Sequence, residues 1–218
     1  MDFLAAYNEW TRAINRQIDW TETMGVSSSE RKEALAAMAE QEIEALVARG
    51  VRVAGNIFSP VVLLKGELNA EEQAGGVLLA GDDGVALRSA LSAIGWAPED
   101  FCALASVAGE GEAGVATTLE PGSSLPVALF REALEVLDPE AMIALDETAA
   151  DAVRNAYADA LAEIEDFNAA MLKPGLVVQV LGRRVLVLDG FEKALADKHE
   201  KQRMWAYLKQ LPPLGAPY

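Results

Sequence analysis

Three acids follow short apolar runs: Glu67 after the run 61–64, Asp146 after 141–145 and Asp189 after 185–188. In open α/β sheets ligands bind beyond the carboxyl ends of the strands. There, converging carboxylates suit acid/base work, or oxygen ligation of Mg²⁺ or Mn²⁺ that activates a water for hydrolysis. Two of the acids also have a plainer role. Asp146 precedes Glu147-Thr148-Ala149 and is placed to cap a helix, and Asp189-Gly190 has the form of a strand-end turn. The pairs Glu71-Glu72 and Asp82-Asp83 flank Gly75-Gly76 and Gly81, and solvated loop charges explain them more simply than a cation-attracting lip. The one histidine, His199, lies in Lys198-His199-Glu200-Lys201 and reads as a surface residue. The one cysteine, Cys102, sits in an apolar stretch and reads as an inert buried thiol. These counts exclude an internal disulfide, a Cys-rich zinc site, a four-cysteine iron–sulfur cluster and a multi-histidine metal site. The turn at Gly66 lacks the glycine spacing of a phosphate-binding loop, so no nucleotide and no cofactor is implied.

The elements that must position these residues follow from hydrophobic period. Phe3, Tyr7, Trp10, Ile14 and Ile18 recur every three or four residues and predict an amphipathic helix over 1–22. Ser27 and Glu30 form a capping-box pattern that opens a second helix through Leu35, Met38, Ile43 and Leu46, stopped by Gly50. Beyond it the period changes. Strands are expected at 61–64, 101–107 and 141–145, with a strand pair at 177–181 and 185–188. Helices are expected at 85–94, 126–137, 148–171 and 191–211, and a loop at 108–125. Short strands that are apolar on both faces, alternating with helices, predict an α/β fold. Its expected form is a mostly parallel four-stranded central sheet with helices on both faces. The expected organisation is an N-terminal helical pair, 1–55, packed on an α/β domain, 56–218.

Composition narrows the function. The 218 residues are 51% hydrophobic and 24% charged, a globular balance. Net charge is −16, and the segment 61–173 carries all of it, because 1–60 holds −3 and 174–218 holds +3. So anionic a middle repels phosphate backbones, which disfavours nucleic acid and leaves a basic protein partner or a second copy of the chain as candidate partners. The start lacks the basic-then-apolar order of a signal peptide and no apolar run is long enough to span a bilayer, so a reducing cytoplasm and no membrane association are expected.

From residue 61 onward the element order and several local strings resemble the uracil-DNA glycosylase superfamily, most nearly its iron–sulfur bacterial branch. Gly66-Glu67-Leu68-Asn69-Ala70-Glu71-Glu72 stands where that family has Gly-Glu-x-Pro-Gly and an acidic turn. Leu78-Leu79-Ala80-Gly81 stands at its Pro-Phe-Val-Gly, and 93–100 resembles its lead into the second strand. The stretch 137–145 resembles its third-strand entry. Val185-Leu186-Val187-Leu188-Asp189-Gly190-Phe191 stands where a strand leads into His-Pro-Ser.

The resemblance implies that fold, and it also implies what is missing. The aromatic that stacks on a flipped base is Leu79 here. The Asn that reads the base edge falls at Ala105, which makes no such bond, with Asn69 the nearest alternative. The His that steadies charge on the departing base falls at Asp189, an anion. The cluster cysteines are absent, and of the first motif only Gly66 and Glu67 remain. The expectation is a degenerate glycosylase-like protein that has lost base excision and serves as a binding or interaction module. The alternative is an enzyme with altered chemistry in the strand-end pocket, a residual glycosylase or metal-assisted hydrolase using Glu67 and Asp189. Gly66, Asn69, Leu79 and Ala105 are the expected pocket positions.

Overall fold

The computed structural model describes residues 28–97, 101–111 and 119–215. The helix expected over 1–22 and the cap at Ser27 lie outside them. The chain divides into two compact units, 1–40 and 41–218. Of the first, the described residues are the helical turns 28–40.

Helix α1, Ser28–Ala48, is followed by Gly50 at a φ of +93°, a left-handed stop that glycine adopts without steric cost. Ile43 and Leu46 are buried. Next come β1 (Val53–Gly55), β2 (Val61–Lys65), a one-turn α2 (Ala70–Gln73), α3 (Asp82–Ala93) and β3 (Phe101–Ala105). Helix α4 (Val127–Leu137) leads to β4 (Ala141–Ala144), and α5 (Glu147–Ala156), α6 (Ala158–Leu161) and α7 (Phe167–Ala170) lead to β5 (Val177–Val180) and β6 (Arg183–Val187). Helices α8 (Phe191–Ala194) and α9 (Lys198–Leu208) close the described chain.

The fold is α/β, with one mixed sheet of six strands in the order β1-β3-β2-β4-β6-β5. The expected four-stranded sheet is therefore corrected. Four parallel strands, β3-β2-β4-β6, form its interior, and an antiparallel strand closes each edge. The edge strand Val53–Gly55 is three residues long, too short to show a period, and it joins the sheet of the α/β unit. At the other edge Leu181 and Gly182 both take positive φ, as a two-residue type I′ turn demands, and Val180 pairs with Arg183.

Strand pleat separates two cores. Val62, Leu64, Cys102, Leu104, Met142, Ala144, Val185 and Val187 face one side, with residues of α4 and α5 packed on them. Val61, Leu63, Phe101, Ala103, Ile143 and Leu186 face the other, under α3 and α9. Burial without a charged partner pushes the Cys102 thiol up to about 12, the inert state expected of it.

Two helices expected as continuous are broken. The stretch 148–171 forms α5, α6 and α7. Tyr157 leaves helical geometry at φ −117°, its ring is fully buried, and its hydroxyl donates to Glu135 at 3.1 Å. Asp166 then starts a new turn by accepting the Ala169 N–H. Likewise 191–211 splits where Asp197 accepts the N–H groups of His199 and Glu200 and opens α9. Alanine-rich composition favours helix, but tertiary burial and a local cap override it. The second expected strand ends at Ala105, two residues early, and Val107 makes only an isolated bridge to Ser124. Among the described residues no helix is long and apolar enough to cross a membrane.

Candidate functional site

The direction of winding reverses between β2 and β4: the chain passes from β2 to β3 on one side, then crosses to β4 and β6 on the other. The loops leaving two such strands diverge and open a crevice at their carboxyl ends. A cavity of about 400 Å³ lies there, lined by Lys65, Glu67, Leu68 and Asn69 from the end of β2, Asp83 of α3, Leu145 and Asp146 after β4, and Gly190 to Lys193 beyond β6.

Its floor is a lysine. Position 65 has the same parity as Val61 and Leu63, so its side chain points into the core side that α3 covers. Lys65 is 3% exposed, and its Nζ lies 2.6 Å from Asp83, 2.8 Å from Glu72 and 3.0 Å from Glu192. Burial alone would lower the ammonium's pKa. The hydrogen bonds it donates to Asp83, Glu72 and Glu192 outweigh that, and the net direction is upward. The two innermost acids are held from behind as well. Glu72 accepts the Asn69 and Leu79 N–H groups at 2.9 and 2.8 Å, and Asp83 accepts the Gly84 N–H at 2.8 Å. Lys65 is thus charged, engaged and outweighed in charge by the carboxylates around it.

The three rim acids are engaged separately. Asp146 Oδ2 accepts from Gly66 and Glu67 N–H at 2.9 and 3.0 Å, and Oδ1 accepts from Ala149 N–H at 2.8 Å, so one carboxylate caps α5 and pins the turn after β2. Glu67 is about half exposed and sits 2.6 Å from Lys193 Nζ; that hydrogen bond raises the lysine's pKa. Asp189 lies outside the cavity lining, exposed, 3.4 Å from Arg203. Glu67 and Asp189 are therefore paired with different cations. Among the described residues, no group of three His, Cys, Asp or Glu side chains is arranged to hold a metal ion.

Of the other expected pocket positions, Asn69 lines the cavity, but its Oδ1 accepts the Glu72 N–H in a reciprocal capping box. Gly66 sits at the turn with no room for a side chain: a Cβ there would lie 2.6 Å from Thr148 and 2.7 Å from Ser106 Oγ. Leu79 is buried and holds a left-handed backbone, φ +54°, between the Glu72 carboxylate and the Arg88 guanidinium, which donates to its carbonyl at 3.0 Å. Ala105 is fully buried beside Lys65 in the ladder. Of these four positions, Gly66, Leu79 and Ala105 lie outside the cavity lining.

Sequence reasoning missed Lys65 and Glu192, and it read Glu72 and Asp83 as solvated loop charges when they are 2% and 4% exposed. Signals for part of this exist. Asn69-Ala70-Glu71-Glu72 has capping-box spacing, which ties Glu72 to the backbone. A lysine that ends an otherwise apolar strand on the inward parity needs a buried acid for company.

No protein-family model matches the chain, and no curated protein sequence matches it.

Proposed function

We propose that the chain is a binding domain on a uracil-DNA-glycosylase-like frame that has lost base excision. The observation that carries this reading is how the charged groups at the strand ends are engaged. Asp146 is spent on three backbone amides, and Asp189 stands outside the cavity on Arg203. Lys65, the buried cation that floors the cavity, is neutralised by carboxylates and has no charge to lend a departing anionic base. An acidic wall would also repel the phosphates of a nucleic-acid substrate. What is left is a partly apolar crevice at the reversal of the sheet, the usual place for a small ligand in such folds. The direct test is incubation of the protein at low salt with single-stranded DNA carrying one uracil, scored as alkali-labile breaks, with Glu67→Ala protein as the contamination control. No breaks are expected. Breaks made by the wild-type protein and absent with the variant would overturn the reading and favour a working enzyme at Glu67.

A further inference from the structure

We infer that the strand-end cavity takes a small organic cation, an alkylammonium or alkylguanidinium, with its charged end on Glu67 and Glu192. This rests on the binding-domain reading and names the ligand class of the same crevice. Lys65 supplies one positive charge to Glu72, Asp83 and Glu192, so the floor keeps a negative excess inside a partly enclosed site, where water screens it less than at an open surface. Glu72 and Asp83 are locked by backbone N–H groups, so they hold the floor in place. Glu192 and Glu67 are different. Each is about half exposed, and each meets its lysine through Oε2.

A second observation concerns what already sits on Glu67. Lys193 lines the cavity and places an ammonium 2.6 Å from that carboxylate, while its own side chain is 77% exposed. An alkylammonium is therefore the chemistry this carboxylate accepts in the structure. The exposed pair is weak enough to be exchanged, because solvated ion pairs contribute little. A ligand ammonium inserted from solvent would take the place of Lys193, and its alkyl stem would lie along Leu68, Leu145 and Phe191. An anionic ligand meets the opposite situation, with one neutralised lysine inside and carboxylates around it.

The test is titration of the full chain at low salt, about 20 mM, with four probes that share a butyl stem: butylammonium, butylguanidinium, butanol and butyrate. Saturable binding is expected for the two cations, with butanol and butyrate weaker by about tenfold or more. Glu67→Gln should weaken butylammonium by about tenfold, and Lys193→Met should tighten it several-fold by removing the internal competitor. Lys201→Met makes the same change of net charge on α9 and should leave the affinity near wild type. Butyrate binding as tightly as butylammonium, no saturable binding of either cation, or equal effects of the two lysine substitutions would overturn the inference. Thermal unfolding of each variant confirms that the fold is kept. The uracil assay separates the two claims: absent cation binding together with absent excision removes only the ligand class, whereas excision removes the binding-domain reading.

Discussion

Replacing Lys65 with methionine tests the buried cluster that floors the cavity. Methionine keeps most of the apolar stem, so the change removes a charge and little packing. At neutral pH it leaves Glu72 and Asp83, at 2% and 4% exposure, without their cation, while Glu192 is exposed enough to turn outward. Breaking a buried ion pair from one side costs about 3–5 kcal/mol. A second route to the magnitude sets a ceiling: the variant can instead protonate one carboxylate and share that proton between the two. Protonating an ordinary glutamate at pH 7 costs about 3.7 kcal/mol, so a loss of about 3–4 kcal/mol is expected. In urea denaturation this lowers the midpoint by about 2 M for a slope near 2 kcal/mol per M. The pH dependence carries the signature. The folded variant binds a proton that its unfolded chain does not, so the loss shrinks by about 1.4 kcal/mol per pH unit, to about 1 kcal/mol at pH 5. The wild-type lysine acts in the same direction, but in a higher pH window. Its folded pKa is raised, so its contribution is complete below the unfolded lysine value near 10.4 and fades only as pH rises through the folded value. Between pH 5 and pH 9 it should add no slope. A loss under about 1 kcal/mol at pH 7, or the same loss at pH 5 and pH 7, would refute a buried, uncompensated pair of carboxylates.

Asp146→Ala should cost about 2–4 kcal/mol, because it strips an N-cap and leaves the Gly66 and Glu67 N–H groups without their acceptor; chemical denaturation measures it, and a loss under about 1 kcal/mol contradicts the structural role. Gly66→Ala should destabilise by about 1–3 kcal/mol, since the new methyl meets Thr148 at 2.6 Å; an unchanged melting temperature would mean that the turn has slack. The Cys102 thiol, fully buried and pushed up to about 12, should not react with a disulfide reagent at pH 8 until denaturant is added; rapid native labelling would show that strand β3 opens.

Much of the frame was legible. Apolar runs marked β2, β3 and β4, and Gly182 marked the turn between β5 and β6. Asp146 and Asp189-Gly190 were readable as a cap and a strand-end turn, since Asp146 accepts the Ala149 N–H and Gly190 takes a φ of +73°. The edge strand β1 was not legible, because three residues beside Gly55 carry no period. Nor was the break between α5 and α6, because Tyr157 leaves the helix for a burial that only tertiary packing supplies. The floor of the cavity was hidden for a related reason. Lys65, Glu72, Asp83 and Glu192 come from four separate elements, and only the closed sheet brings them within 3.0 Å. In sequence, Glu71-Glu72 and Asp82-Asp83 look like equivalent solvated pairs. Burial separates them, taking Glu72 and Asp83 inward and leaving Glu71 exposed.

A charged lysine, Lys65, fully engaged by carboxylates, floors the crevice. Nitrogen-15 NMR of the lysine side chains tests this most directly. At neutral pH, exposed ammonium protons exchange with water too fast to be seen, whereas an ammonium 3% exposed and bonded to Asp83, Glu72 and Glu192 should give a resolved proton signal coupled to its nitrogen. One such signal, lost in Lys65→Met and present up to pH 9, is the predicted result. Absence of any protected ammonium signal in the folded wild-type protein would contradict the account.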